Sequence, residues 1–294
     1  MSTEALEQTA VPASRSRRRI GSGAGSAASA LVLRSATLGY IGVMVLLPLA
    51  ALSIESARPG GAAFWKAIVD PFAWHALVLT FVTALIMVVV NAVTGTATAW
   101  VLVRYPFPGK GLVNALIDLP FAVPTVVTGL MLVALYGPSS VLGAFLSRHG
   151  WDIIYQKPGI VLALLFVTFP FAVRTVQPVL FEMDPAEEEA ALTLGAGSLT
   201  TFWRVTLPTL WPAILTGAGL SFSRALGEFG SVVMVAGNRP LETRTGPMYI
   251  FGEIESGHPH GAMVVSMVLL AGSLGILVLL NRLQKRGAEV AHVR

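Results

Sequence analysis

The 294-residue chain is 54% apolar and only 12% charged, with a mean hydropathy of +0.71. Soluble domains run at about 25% charged, so an ordinary soluble globule is excluded and an integral membrane protein is indicated. The absence of cysteine excludes disulfides, thiolate metal sites and thiol catalysis, while the formal net charge of +4 fits basic flanks beside anionic lipid and gives no argument for nucleic acid.

Residues 1–30 carry Arg15, Arg17, Arg18 and Arg19 ahead of a Gly-Ser-Ala run from Gly21 to Ala30. Such a composition cannot bury a core, and a disordered basic tail is expected. A signal peptide is the competing reading, because basic residues precede an apolar stretch. Against it, the apolar run at about 35–54 exceeds the ~7–15 residues of a signal-peptide core, and no clear small-residue cleavage site follows it.

Six segments, at about 35–54, 75–103, 111–136, 158–181, 209–236 and 262–281, reach or approach the ~20 apolar residues a helical span needs. None alternates apolar and polar residues as a barrel strand does. The expected fold class is an all-α polytopic membrane protein with six transmembrane helices. In the second segment no Asp, Glu, Lys or Arg occurs between Asp70 and Arg104, a length that requires tilt or emergence from one face. The third holds Asp118, Pro120 and Pro124, which predict a kinked start whose freed carbonyls neighbouring helices cover. The transmembrane domain is expected over 31–285, with a C-terminal tail over 286–294.

With six spans, 12 of the 20 Lys and Arg residues fall on the side of the N-terminus and six on the other, Arg174 and Arg224 lying within spans. The positive-inside bias then puts both termini in the cytoplasm. The loop 182–208 faces the same side.

That loop is a polar island in an apolar chain, with Glu182, Asp184, Glu187, Glu188 and Glu189 inside eight positions. Asp184 suits a helix cap, Pro185 its first position, and Glu187 the far corner of a capping box. The acidic first turn agrees with the helix dipole. The helix is predicted to stop at Gly195, and Ser198 to cap a second short helix carrying Leu199, Phe202 and Trp203 that ends before Pro208. Periodicity alone leaves two readings open, an amphipathic connector lying on the membrane and a docking surface for a soluble partner.

The spacing adds a resemblance. Glu189-Ala190-Ala191, three residues, Gly195, nine residues, Val205, one residue, then Leu207-Pro208 resembles the EAA signature of ATP-binding-cassette (ABC) importer permeases, with Val205 where that family prefers Ile. Asp118 to Thr125, Pro170 to Leu180 and Ser223 to Ser231 are similar to the sulfate/thiosulfate permeases of that family. Molybdate permeases share a Leu-Gly-Glu-Phe-Gly stretch like that at 226–230, so this piece alone does not choose the anion, and molybdate, tungstate or another oxyanion is the alternative.

The resemblance covers roughly 35–285. It implies a type I ABC importer permease (MetI-like) fold in the inner membrane and no cofactor. Its coupling residues would be Glu189, Ala190, Ala191, Gly195, Leu207 and Pro208. The implied partners are a second, paralogous permease, a cytoplasmic ATP-binding subunit dimer, an extracytoplasmic sulfate-binding protein and membrane lipid.

Charges inside spans are costly and face the bundle interior or an aqueous path. Arg224 and Glu228 are four residues apart, able to pair on one face either as a structural register device or as a gate. For Arg174 the readings are snorkelling toward headgroups and a pathway role. Asp118 is expected to cap a helix or bridge two of them. Arg174, Arg224 and Glu228 are therefore the pathway or gate candidates. Thr125, Thr128, Ser221 and Ser223 are possible hydroxyl donors to an oxyanion, or ordinary packing residues. His258 and His260, in an outer loop, lack a fixed third ligand and are read as exposed loop residues.

No G-x-x-x-x-G-K-[ST] loop, His-Glu-x-x-His or Gly-x-Ser-x-Gly motif occurs. No catalytic residue or metal site is expected, and ATP hydrolysis falls to a partner. A secondary transporter is the less favoured class, since no related halves with matched helix breaks are legible.

Overall fold

The computed structural model describes the backbone of residues 24–292 and the side chains of residues 29–284. All regular elements among them are helical. The described residues fall into two compact units that divide between Ala51 and Leu52. The first contains α1 (Ala24–Ile41), a π turn (Gly42–Leu46) and the beginning of α2 (Leu47–Ala57). Of the expected tail, residues 1–23 lie outside the described residues, and from Ala24 onward the Ala-rich stretch is already helical.

The second unit is built on α4 (Pro71–Arg104), α8 (Lys157–Glu182), α11 (Leu207–Leu226) and α14 (Pro259–His292), long helices with short ones such as α3 (Gly61–Val69) and α7 (Val141–Arg148) between them. Asp70 opens α4 by accepting from the Phe72 and Ala73 amides at 3.0 and 3.1 Å, ahead of Pro71 at the first position. Small residues let the long helices approach, as membrane packing requires. A Cβ on Gly95 of α4 would collide with Ala172 of α8. A buried polar thread ties the same pair: Asn91 Nδ2 donates to Thr168 Oγ1 at 2.9 Å and to the Leu165 carbonyl at 3.2 Å. In a bilayer such groups have no water to turn to. One apolar core joins α4, α8, α11 and α14, and a second lies toward the Arg104 end of α4, around Leu102, Ile117, Val176, Leu180 and Leu210.

Among the described residues five helical stretches are long and apolar enough to cross a membrane, six if one bent pair is a single span. That pair is the first correction to the sequence reading. The third segment is two helices, α5 (Lys110–Ala122) and α6 (Thr125–Tyr136), bent by 115° with respect to each other. Pro124 forces the residue before it out of the helical region, and Val123 is extended at φ −89°, ψ 130°. A mild kink is replaced by a sharp corner.

The fifth segment is also broken. Helix α11 stops at Leu226, and α12 (Gly230–Ala236) restarts after Gly227-Glu228-Phe229. The short helices that follow the two breaks, α6 and α12, pack together. A Cβ on Gly230 would strike Thr125 Oγ1, and one on Gly129 would sit 2.7 Å from Met234 Cβ. Beyond α12, α13 (Gly246–Glu255) is anchored to α4 by the Gly246 amide, which donates to Thr80 Oγ1 at 2.7 Å.

Candidate coupling segment and intramembrane charges

Between α8 and α11 the chain forms α9 (Pro185–Thr193), a glycine turn and α10 (Ser198–Thr201). The Asp184 carboxylate accepts from the Ala186 amide at 2.9 Å and Pro185 takes the first helical position. At the far end Gly195 adopts φ +87°, with its amide donating to the Leu192 carbonyl at 3.0 Å and the Ala196 amide to the Ala191 carbonyl at 3.1 Å. These are the two bonds of a Schellman cap, which needs a left-handed residue at this point. The resulting hairpin presents Glu189, Ala190 and Gly195 to the exterior, with Leu194 at 88% and Leu199 at 72% exposure. Ala191 is half-buried.

The second short helix does not end before Pro208, as the sequence reading expected. Helix α10 passes into a π turn, Phe202–Thr206, and then into α11 without interruption. The Leu207 amide reaches back to the Phe202 carbonyl, and Pro208 follows directly, its missing N–H leaving a gap in the ladder just after the wider π turn. Leu207 and Pro208 therefore stand at the root of a span, apart from the exposed turn that carries Glu189 to Gly195.

Glu188, counted in the sequence only as one of the acidic residues of the loop, joins α9 to two other elements. The Glu188 Oε1 atom accepts from Arg104 Nη2 at 2.9 Å and from Thr206 Oγ1 at 2.8 Å. No local spacing signals a contact across 84 residues.

Arg224 and Glu228 pair as their spacing predicts, Nη1 to Oε2 at 2.7 Å. The second carboxylate oxygen of Glu228 accepts from both the amide and the hydroxyl of Ser231, each at 2.9 Å. Glu228 thus caps α12 from inside the helix break, its side chain 1% exposed against 36% for Arg224. Arg174 bonds to a neighbouring helix. Its guanidinium turns from α8 to α5, where it meets the Asp118 carboxylate and also donates to the Asn114 side chain and carbonyl, while Gln177 accepts on its own helix. Sequence reading treated Asp118 and Arg174 as separate charges; the fold makes them one cluster.

Ser221 Oγ donates to the Thr168 carbonyl at 3.4 Å. The hydroxyls of Thr128 and Ser223 are buried without a hydrogen-bond partner among the described residues. Those residues contain no group of three His, Asp or Glu side chains able to hold a metal ion, at His258 and His260 or elsewhere.

A polytopic helical bundle with an exposed, glycine-capped hairpin at the root of one span is the architecture of a transport permease. Residues 92–286 match the model of the binding-protein-dependent transport system inner membrane component, and the chain belongs to that family. It is 45% identical over 256 residues to the sulfate transport system permease protein CysT of Synechocystis sp., a match covering 87% of this chain and 90% of that protein. To CysT of Escherichia coli it is 41% identical over 250 residues, 85% of this chain and 90% of that one.

Among solved structures, a chain of a bacterial alginate ABC transporter superposes with a TM-score of 0.72 at 17% identity, covering 89% of this chain and 94% of that chain. A chain of the MetNI methionine ABC transporter gives 0.54 at 15%, covering 78% and 99%. Likeness at such identities concerns the fold, which is that of ABC importer permeases. The chain is accordingly a multi-pass transporter subunit and not an enzyme; ATP hydrolysis belongs to a partner.

Proposed function

We propose that this chain is the permease subunit of an ATP-driven importer for sulfate or thiosulfate, and that the α9–α10 hairpin is its contact with a cytoplasmic ATPase. The observation that carries the reading is the exposed Schellman-capped turn at Gly195, which holds Glu189 and Ala190 outward. The sulfate assignment draws on relatives named as sulfate permeases, 41–46% identical over most of the chain.

In this reading a second, paralogous permease subunit completes the path. A pair of ATP-binding subunits lies below, and a sulfate-binding protein delivers the anion from outside. Both termini and the 182–208 loop face the cytoplasm, in keeping with the Lys and Arg bias. Closure of the ATPases on nucleotide displaces α9, and the attached spans alternate the cavity between the two faces. The Arg224–Glu228 and Arg174–Asp118 pairs are the charged elements available to gate that motion.

Sulfate uptake in cells lacking the gene, with and without complementation, tests the reading. Restored uptake that requires a co-expressed ATPase supports it. Uptake independent of any ATPase would indicate a secondary transporter, and competition by molybdate stronger than by thiosulfate would move the assignment to the other oxyanions.

A further inference from the structure

Helix α9 is joined to the spans by more than its covalent ends, and the joint runs through a residue outside the Glu189-Ala190-Ala191 triplet. Glu188 is half-buried while Glu187 and Glu189 on either side are exposed. Its Oε1 atom takes two donors from two different elements: Arg104, the last residue of α4, and Thr206, the last residue of the π turn that leads into α11. Among the described residues, no other side chain of α9 hydrogen-bonds or ion-pairs with a different helix.

The donors are themselves held. The Arg104 guanidinium carbon lies 5.3 Å from the Trp100 ring centroid, within cation–π range. Trp100 meets Phe202, the first residue of the π turn, edge to face at 5.7 Å. Thr206 is 1% exposed. The contacts therefore close a ring, from α4 through Arg104 to α9, through Thr206 to the π turn, and through Phe202 and Trp100 back to α4. A charge-assisted bond in a half-buried ring is stiffer and stronger than a surface ion pair.

We propose that Glu188 is the positioning residue that transmits displacement of α9 to α4 and α11 together. This rests on the reading of α9 as the coupling helix. Pulled or pushed by a partner, α9 could otherwise swing about the Gly195 turn and the Asp184 cap without moving either span. With Glu188 in place, one carboxylate loads the end of α4 and the root of α11 at the same time.

The test uses the complete transporter in proteoliposomes, with sulfate as the transported probe, and reads ATP hydrolysed per sulfate taken up alongside the amount of assembled complex. Glu188→Ala is expected to raise that ratio on the order of tenfold. Glu188→Gln and Thr206→Val should raise it less, since each keeps part of the ring, and the reversed pair Arg104→Glu with Glu188→Arg should recover part of the loss. A ratio unchanged in Glu188→Ala overturns the proposal. So does uptake that falls only in step with ATP hydrolysis or with assembly, which is what a purely structural tie would give. Gly195→Asp separates the two levels of inference. If it uncouples while Glu188→Ala does not, only the role of Glu188 fails. If it leaves coupling normal, the coupling reading of α9 fails, and the proposal with it.

Discussion

Arg174 and Asp118 face each other side-on, Nε to Oδ1 at 2.8 Å and Nη2 to Oδ2 at 2.6 Å, joining α8 to the arm of the broken span before its corner. Two parallel bonds of this kind need a planar fork, which lysine cannot supply. The side chains are 31% and 49% exposed, so solvent screening limits the stabilisation to about 1 kcal/mol. Arg174→Lys and Asp118→Asn should therefore each leave the amount of folded protein within about twofold. Uptake per folded protein should fall further than that in both variants. Immunoblotting of membranes beside initial uptake rates checks this, and an equal fall in both quantities would make the pair structural only.

The Arg224–Glu228 pair should behave in the opposite sense, because the Glu228 side chain is 1% exposed. Arg224→Met strands a carboxylate held only by Ser231, at a cost of about 1–3 kcal/mol after allowing for the partial exposure of the arginine. Glu228→Gln alone removes the charge that Arg224 faces. The double variant should be more stable than the sum of the single losses predicts. A double-mutant cycle on thermal unfolding in detergent measures the coupling, and additive losses would contradict the pairing. Normal uptake per complex in the double variant would leave a register device and remove the gate.

At Gly195 two effects separate cleanly. A Cβ there meets open space, so only the φ of +87° penalises substitution, by about 1 kcal/mol for alanine. Gly195→Ala should insert and fold with mild loss of uptake. Gly195→Asp adds bulk and charge to the proposed docking face and should abolish coupled uptake while insertion persists. Expression level, ATPase stimulation and uptake, measured together, check the pair of variants.

Orientation is open to direct labelling, since the native chain contains no cysteine. Ser198, Ser139 and His258 are all exposed. A cysteine at Ser198 should resist an impermeant thiol reagent applied from outside, while one at Ser139 or His258 should react. The reverse pattern would invert the topology and remove the cytoplasmic docking role together.

The sequence made some features plain because their determinants are local. Asp184, Pro185 and Gly195 act through neighbours within three residues, and the hairpin they define is where the spacing predicts it. The spans are equally legible, since length and hydropathy alone decide them. The two helix breaks were obscured for a related reason. An apolar window over 209–236 averages across Gly227-Glu228-Phe229, whose effect depends on Glu228 capping Ser231 rather than on composition. A kink was expected from Pro124, yet its angle depends on how α6 packs against α12. The least legible features were the long-range pairs. Arg174 meets Asp118 across 56 residues and Arg104 meets Glu188 across 84. Nothing in one sequence specifies such partners before the helices are arranged.

The π turn at Phe202–Thr206 gives the segment between hairpin and span one residue more than a regular helix would use. Deleting a single residue there would let the ladder close as ordinary α-helix with α10 kept close to its present phase, because the turn already absorbs the extra residue. The same deletion placed in α11 would instead rotate everything ahead of it by about 100°, re-aiming Trp203, Leu199 and Thr206 together. The π turn is therefore the one stretch of this segment that tolerates a change of length, whereas in the regular helix beside it a one-residue gap acts as a phase error that no side chain can correct.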